Sequence, residues 1–331
     1  MELLAPVANL AALDIAIEAG ADAVYVGLKN DTNARAFAGI NFDEQDLIAA
    51  KERCERHKVK LMVAINTFPQ PGQEPRWHRA ISLCADVGVD SVIMADPGLL
   101  AHGARHYPNL ERHLSVQASA ANVPTLELFH NQFGITRAVL PRVLDIHQVE
   151  AICADSPVEI EVFAGGSLCV MAEGRCQLSH YVSGHSPNSG GACSPGAEVS
   201  WHHHNQHREV RLSGTLLDRV EKQEAGGYPT VCKGQFVVSG QPLYPISRPC
   251  SLSTLPLLPR FGKAGVAALK IEGRQRSPFY SKQVTQIWRQ AIDEWKAGPE
   301  RYQLKPQWHQ QLKQLAEGGL LTTGAYLGSW H

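Results

Sequence analysis

The chain has no long hydrophobic run. Nothing in its 331 residues approaches the roughly 20 consecutive apolar positions that a bilayer span needs. Its N-terminus, Met1–Val26, also lacks an early Lys or Arg and is interrupted by Glu2, Asp14, Glu18 and Asp22. A secretory leader has the reverse pattern, a basic start and an uncharged apolar centre, so the expected location is cytoplasmic. No excess of one charge is present: 31 Lys and Arg face 32 Asp and Glu, a formal net charge of −1. No overall field therefore attracts nucleic acid or an anionic membrane. No G-x-G-x-x-G follows the first apolar run, which argues against a dinucleotide-binding fold. G-x-S-x-G and H-E-x-x-H are missing too, and no convincing Cys–His pair replaces them, which weighs against a peptidase. No two cysteines form the C-x₂₋₄-C knuckle typical of structural zinc.

What the chain does have is a repeated pattern of short apolar run, turn and amphipathic helix. Strands are expected at Glu2–Val7, Ala23–Gly27, Lys60–Asn66, Ser91–Met94, His113–Ala118, Ala138–Pro141 and Val158–Phe163. Helices are expected at Leu10–Ala19 (capped by Asn9 and ended by Gly20), Asp43–His57, Trp77–Val87, from Pro97, Pro124–Phe133 and Ile146–Cys153. The runs are rich in Val, Ile, Leu and Ala with little alternation, as in strands buried on both faces. Such alternation of strand and helix predicts a (β/α)8 TIM-like barrel. Its eighth strand is Ala267–Ile271, followed by the helix Ser277–Trp295. The expected organisation is one barrel over 1–295, with an insertion at 165–262 between strands 7 and 8 and a C-terminal extension at 296–331. A small hairpin is expected around Ser239-Gly240. An insertion that long, at the end of the barrel where active sites lie, is usually functional.

Eight cysteines have to be accommodated. In a reducing compartment, clustered cysteines more often bind metal or react than pair as disulfides. Cys54, Cys84 and Cys153 fall within apolar helical patterns and read as small buried hydrophobes. The other five lie in the Gly-, Pro- and Ser-rich second half. Cys169, Cys176 and Cys193 are spaced C-x6-C-x16-C, and Cys232 follows after 38 more residues. Four thiolates can hold zinc or an iron–sulfur cluster, and the wide spacing favours the cluster.

The segment Glu161-Val-Phe-Ala-Gly-Gly-Ser-Leu-Cys169-Val-Met-Ala-Glu-Gly-Arg-Cys176-Gln-Leu-Ser179 resembles the signature of the collagenase-like peptidase U family. Leu269-Lys-Ile-Glu-Gly-Arg274, on the eighth strand, resembles a second hallmark of that family. Glu2-Leu-Leu-Ala-Pro6 and Gly20-Ala-Asp-Ala-Val-Tyr-Val-Gly27 match its N-terminus, so the resemblance covers residues 1–295. It implies a [4Fe–4S] cluster on Cys169, Cys176 and Cys193. Many relatives supply a further cysteine four residues after the third, where this chain has Ala197. The fourth ligand must then be Cys232 or Cys250, with Cys232 preferred for its turn-like setting. The resemblance is strongest to members acting in oxygen-independent ring hydroxylation during ubiquinone biosynthesis. It implies a heterodimer with a UbiV-like homologous chain, a lipid-carrier accessory protein that presents an isoprenoid quinone precursor, and prephenate as a candidate oxygen donor. Related members hydroxylate tRNA or rRNA, although the neutral charge of this chain makes nucleic acid a less favoured partner.

Lys270, Glu272 and Arg274 mark the C-terminal end of strand eight, either as substrate-binding groups or as ion pairs closing the barrel. Arg35, Gln117 and Glu161 complete the substrate-pocket candidates, Glu161 being a lone charge in an apolar strand. Asn33, Asn66 and Ser119 read as loop-positioning groups. No catalytic acid or base stands out. The run His202-His-His-Asn-Gln-His207 reads as a solvated loop, with no carboxylate at ligand spacing.

Overall fold

The strand and helix pattern of the first half is realised almost element for element. The structure, a computed structural model, describes residues 1–36, 39–190, 192–221 and 228–328. In chain order the barrel begins β1 (Glu2–Pro6), α1 (Leu10–Glu18), β2 (Ala23–Gly27), α2 (Glu44–His57), β3 (Lys60–Ile65), α3 (Glu74–Val87) and β4 (Ser91–Met94). It continues α4 (Pro97–His106), β5 (Glu111–Leu114), α5 (Val123–Phe133), β6 (Arg137–Val139), α6 (Ile146–Asp155) and β7 (Glu159–Ser167). The insertion holds α7 (Leu178–Ser183), α8 (Pro187–Gly190), β8 (Val199–His203), β9 (His207–Leu212), β10 (Thr215–Glu221), β11 (Phe236–Val238), β12 (Gln241–Leu243) and β13 (Ser251–Ser253). The chain then runs through α9 (Leu258–Ala264), β14 (Ala268–Ile271), α10 (Pro278–Ala297), α11 (Pro306–Leu315) and β15 (Leu321–Thr322).

Strands β1 to β7 pair in parallel and in sequence, and β14 pairs in parallel with both β7 and β1. Eight parallel strands thus close on themselves, the TIM-like barrel that the sequence predicts. Alternate residues explain why the strands look uniformly apolar. Leu3, Val24, Val26, Leu61, Val63 and Leu269 face the helices in one core. Leu4, Ala23, Tyr25, Met62, Ile93 and Ala268 face inward and form a second core inside the barrel. Both faces are dry, so the period-2 signal disappears.

Helix ends follow local chemistry. Asn9 caps α1 by accepting the N–H of Ala12, and Asp43 and Asp46 form a reciprocal capping box on α2. Three barrel strands need their expected spans corrected: β6 ends two residues early at Val139, β7 runs on four residues to Ser167, and the fifth strand shifts most. It runs Glu111–Leu114, and Val116–Ala118 forms a 3₁₀ turn instead. Ser115 Oγ accepts the N–H of Gln117, and Ser119 adopts φ 52°, so the side chain offers the backbone an alternative to the ladder.

α10 lays its apolar stripe along the barrel, with Trp288 fully buried. Its indole nitrogen lies 3.4 Å from where a Cβ on Gly165 would stand, so this ring packs under the end of β7. Trp288→Ala is expected to cost about 3–5 kcal/mol, read as a lowered midpoint in anaerobic urea unfolding.

The insertion departs most from expectation. β8, β9 and β10 form an antiparallel sheet in the order β10-β9-β8, and the supposed His-rich loop is its first hairpin. Val210, Leu212 and Leu217 make the inner face of this sheet, with Val182, Val199, Val231 and Phe236 packed against them. Val182 follows the Cys176 segment and Val231 adjoins Cys232, so the sheet buttresses the cysteine-bearing loops. The smaller hairpin, β11–β12, forms around Ser239 and Gly240 as the turn residues suggest. β13 lies antiparallel on the end of β7, and β15 from the C-terminal extension adds beside β13.

Candidate metal centre at the barrel mouth

The loops after the barrel strands enclose two adjoining cavities at the C-terminal end. One reaches down into the barrel and is walled by Tyr25, Asn66, Phe163, Lys270 and Arg274. The other lies beneath the insertion. Arg35, Gln117, Arg142, Glu173 and Glu272 line both, so they form the partition between them.

Cys169, Cys176, Cys193 and Cys232 all line the outer cavity, whereas Cys250 does not. Each reaches it from an irregular segment. Cys169 follows the end of β7, Cys176 precedes α7, Cys193 follows α8, and Cys232 sits in the 3₁₀ turn Val231–Lys233. The Cys176 loop can fold close to the barrel because Gly174, at φ +82°, lies against the backbone of Gln117, where a Cβ would collide with the carbonyl oxygen. Ser119 Oγ donates to the carbonyl of Glu173 in the same loop.

These four side chains suit a cluster better than a single ion. Thiolates on one zinc stand about 3.8 Å apart, given Zn–S bonds of about 2.3 Å. Among the described residues, three ligand atoms come within 4.8 Å of one another only at His204, His207 and Glu209, away from the cysteines. A cubane binds one thiolate at each iron corner and so spreads its ligands around a larger body. Burial pushes the Cys169 thiol up to about 12, with Glu173 adding to the rise and Arg142 opposing it. Burial likewise raises Cys193, against the pull of Arg35, and raises Cys232, against the hydroxyl of Thr230 and the ammonium of Lys233. Positive groups thus face the thiols from several sides and oppose the rise that burial imposes on them.

The partition is a network of buried charge. Arg142 donates from Nε to Glu173 Oε1 at 2.6 Å and from Nη1 to the carbonyl of Ser167, and its guanidinium lies 4.2 Å over the Phe163 ring. Glu272 accepts the Ser167 N–H at 3.0 Å and faces Arg35 at 3.7 Å. Its burial would raise the carboxyl, but Arg35, Arg142 and the Ser167 N–H outweigh that and hold it below the ordinary carboxylate range. Arg274 differs. Its guanidinium donates to Asn41 Oδ1 at 2.9 Å and Asn33 Oδ1 at 3.0 Å, and among the described residues no carboxylate makes an ion pair with it. Burial lowers it to about 10, with Arg35 adding to the fall and Tyr25 and Glu272 opposing. Gly27 gives it room, since a Cβ there would collide with the guanidinium. Gln117 Oε1 is buried at the partition with no hydrogen-bond partner among the described residues.

The other candidates separate by depth. Lys270 points inward because Ala268, two residues earlier, already does. Its ammonium pairs with Glu161 at 2.7 Å and lies 4.3 Å over the Tyr25 ring. Glu161 is fully buried, also faces Arg137 at 3.7 Å, and lines neither cavity: it is the partner inside the barrel that holds Lys270. Asn33 and Asn66 brace loops as expected, Asn66 accepting the N–H of Ala34. Sequence reasoning missed Arg142, Glu173 and Lys233. Arg142 follows Leu140-Pro141 at the end of strand six, and Glu173 lies within the cysteine motif, so position alone could have flagged both.

A family model described as Peptidase family U32 matches residues 8–330. The chain belongs to that family. It is 30% identical to tRNA hydroxylation protein P of Escherichia coli over 90% of this chain and 69% of that protein. It is 28% identical to tRNA hydroxylation protein P1 of Bacillus subtilis, over 95% of this chain and 68% of the relative. The 23S rRNA 5-hydroxycytidine C2501 synthase of E. coli is 29% identical over 88% of this chain and 39% of its own length. The solved U32 peptidase Mk0906 superposes on 50% of this chain and 70% of its own, with TM-score 0.43 and 16% identity. The family name says peptidase, yet these two E. coli relatives and the B. subtilis one are named for hydroxylating RNA.

Proposed function

We propose that this U32 chain is the iron–sulfur subunit of an oxygen-independent hydroxylation system that adds a hydroxyl group to an aromatic ring. The observation that carries the reading is the shared partition: four cysteines line a cavity that meets a cationic barrel pocket through Arg35, Gln117, Arg142, Glu173 and Glu272. Cys169, Cys176, Cys193 and Cys232 would hold a [4Fe–4S] cluster, which supplies electron transfer or activation of an oxygen-bearing donor, chemistry that side chains lack.

The chain's own residues would bind and orient the donor. Arg274 and Arg35 offer guanidinium groups to carboxylates, Lys270 adds a positive charge held by Glu161, and Gln117 Oε1 is free to accept a hydrogen bond. A small dicarboxylate such as prephenate suits that set. Arg274→Gln is therefore expected to weaken donor binding about ten- to a hundredfold, in line with the loss of one charge-assisted pair. Iron content should stay unchanged. Isothermal titration of anaerobic protein with prephenate, beside an iron assay, checks both.

For the ring that is hydroxylated, the motif resemblance to UbiU supports a ubiquinone precursor. The net charge of −1 fits a small-molecule or protein-borne substrate better than RNA. In that reading the chain works in the cytoplasm beside a UbiV-like homologue, with a lipid-carrier protein presenting the isoprenoid precursor. Among the described residues no helix is long and apolar enough to cross a membrane. The second reading, hydroxylation of an RNA base, is supported by what the E. coli and B. subtilis relatives are named for. Deleting the gene and measuring both products in cells grown without oxygen separates the two. Loss of ubiquinone with intact nucleosides supports the first. Unchanged ubiquinone with a missing hydroxylated base would replace it by the second.

A further inference from the structure

We propose that the β8–β9 hairpin carries a second, independent metal site, made by His204, His207 and Glu209, that takes a divalent ion of the zinc or nickel type. Register builds it. His202 on β8 pairs with Glu209 on β9, and Arg219 on β10 pairs with Glu209 from the other side. Side chains two apart on a strand share a face, so His207, Glu209 and Arg211 project together. The turn adds His204, whose N–H donates to the carbonyl of His207 at 2.9 Å. The apolar residues of the same strands, Val210 and Leu212, point the other way into the buttress.

The geometry is that of an ion's ligands drawn slightly apart. The two imidazole rings stack at 4.6 Å with 22° between their planes. His204 Nε2 lies 3.9 Å from Glu209 Oε2, and His207 Nε2 lies 3.8 Å from Oε1. Two atoms bound to one tetrahedral zinc at about 2.1 Å each stand about 3.4 Å apart, so a shift of about half an ångström brings each of these pairs to a common ion. Imidazole and carboxylate together suit zinc and nickel. Glu209 is nearly buried, and its oxygens accept from Arg211 and Arg219, each at 2.9 Å. Those contacts pin the carboxylate in place, as outer partners of metal ligands do, while their charge weakens the site. The histidines stay half-exposed, so an ion can reach them. His203 lies on the opposite face of the strand, across from Arg208, and takes no part.

The test uses the full, untagged chain with its cluster intact, dialysed anaerobically against zinc alone, with iron measured in parallel. One zinc per chain is expected with iron unchanged. His204→Ala and His207→Ala should each weaken zinc binding at least about tenfold, and His203→Ala should leave it unaltered. Arg219→Gln should tighten it severalfold by removing a competing charge. Absence of bound zinc, binding by both histidine variants as tight as that of the unaltered chain, or iron lost in step with zinc gained would overturn the site. Unchanged affinity in Arg219→Gln would overturn the role of Glu209 as a ligand.

Discussion

Cys232→Ala protein, prepared without oxygen, is expected to emerge nearly colourless, with iron and sulfide falling from about four of each per chain towards zero. Cys169→Ala, Cys176→Ala and Cys193→Ala should behave alike, because all four side chains line one cavity. Cys250→Ala should keep its colour. That thiol is half-buried beside Lys233 but outside the cavity lining. Cys54→Ala and Cys84→Ala should also keep full iron, since both pack in the core between strands and helices. A brown Cys232→Ala beside a colourless Cys250→Ala would move the fourth ligand. Stoichiometric zinc with no iron in the unaltered protein would remove the cluster altogether.

The second large effect is expected from a residue with no thiol and no place in the cavity. Glu317, on the C-terminal extension, is buried and bonded from four directions. Lys233 Nζ donates to it at 2.6 Å, Arg276 Nη2 at 2.7 Å and the Tyr228 N–H at 3.3 Å, while its own N–H donates to Ser251 Oγ at 2.9 Å. Lys233 also donates to Ser167 Oγ at 2.9 Å, so the clamp joins the Cys232 turn to the end of β7. Glu317→Gln leaves the Lys233 ammonium buried without its counter-charge, which costs about 3–5 kcal/mol. Arg276 loses less, being partly exposed and able to turn to water. The measurement is the urea midpoint, with iron retention followed through the same titration. Adding Lys233→Met to Glu317→Leu should recover part of the loss. A double variant as unstable as the sum of the two singles would show that the pair is not coupled.

The barrel was legible because its signals are local and repeated. Capping residues such as Asn9 and Asp43, and dry strands such as Ala23–Gly27, announce themselves within a few positions. The cysteine motif and Leu269–Arg274 were legible for a different reason: a family signature marks them. The partition was harder to see. Arg142, Glu173 and Glu272 come from three separate loops, and only barrel closure brings them together. The three-stranded sheet of the insertion was missed because strands with a solvated face full of His, Glu and Arg read as polar chain. Its period-2 apolar residues, Val210, Leu212 and Leu217, are too few to stand out. Glu317 carried no signal at all, since a single acid near a chain end is ordinarily exposed.

Because β13 lies antiparallel on the end of β7, with Ser251 opposite Ser167, the chain of the insertion returns to almost the place where it left the barrel. A loop whose ends already meet adds little closure entropy as it lengthens. The barrel can therefore tolerate a different lid without re-registering a strand. Changes of length in the buttress sheet can thus be absorbed between β7 and β13, leaving Lys270 and Arg274 in the barrel pocket where they are.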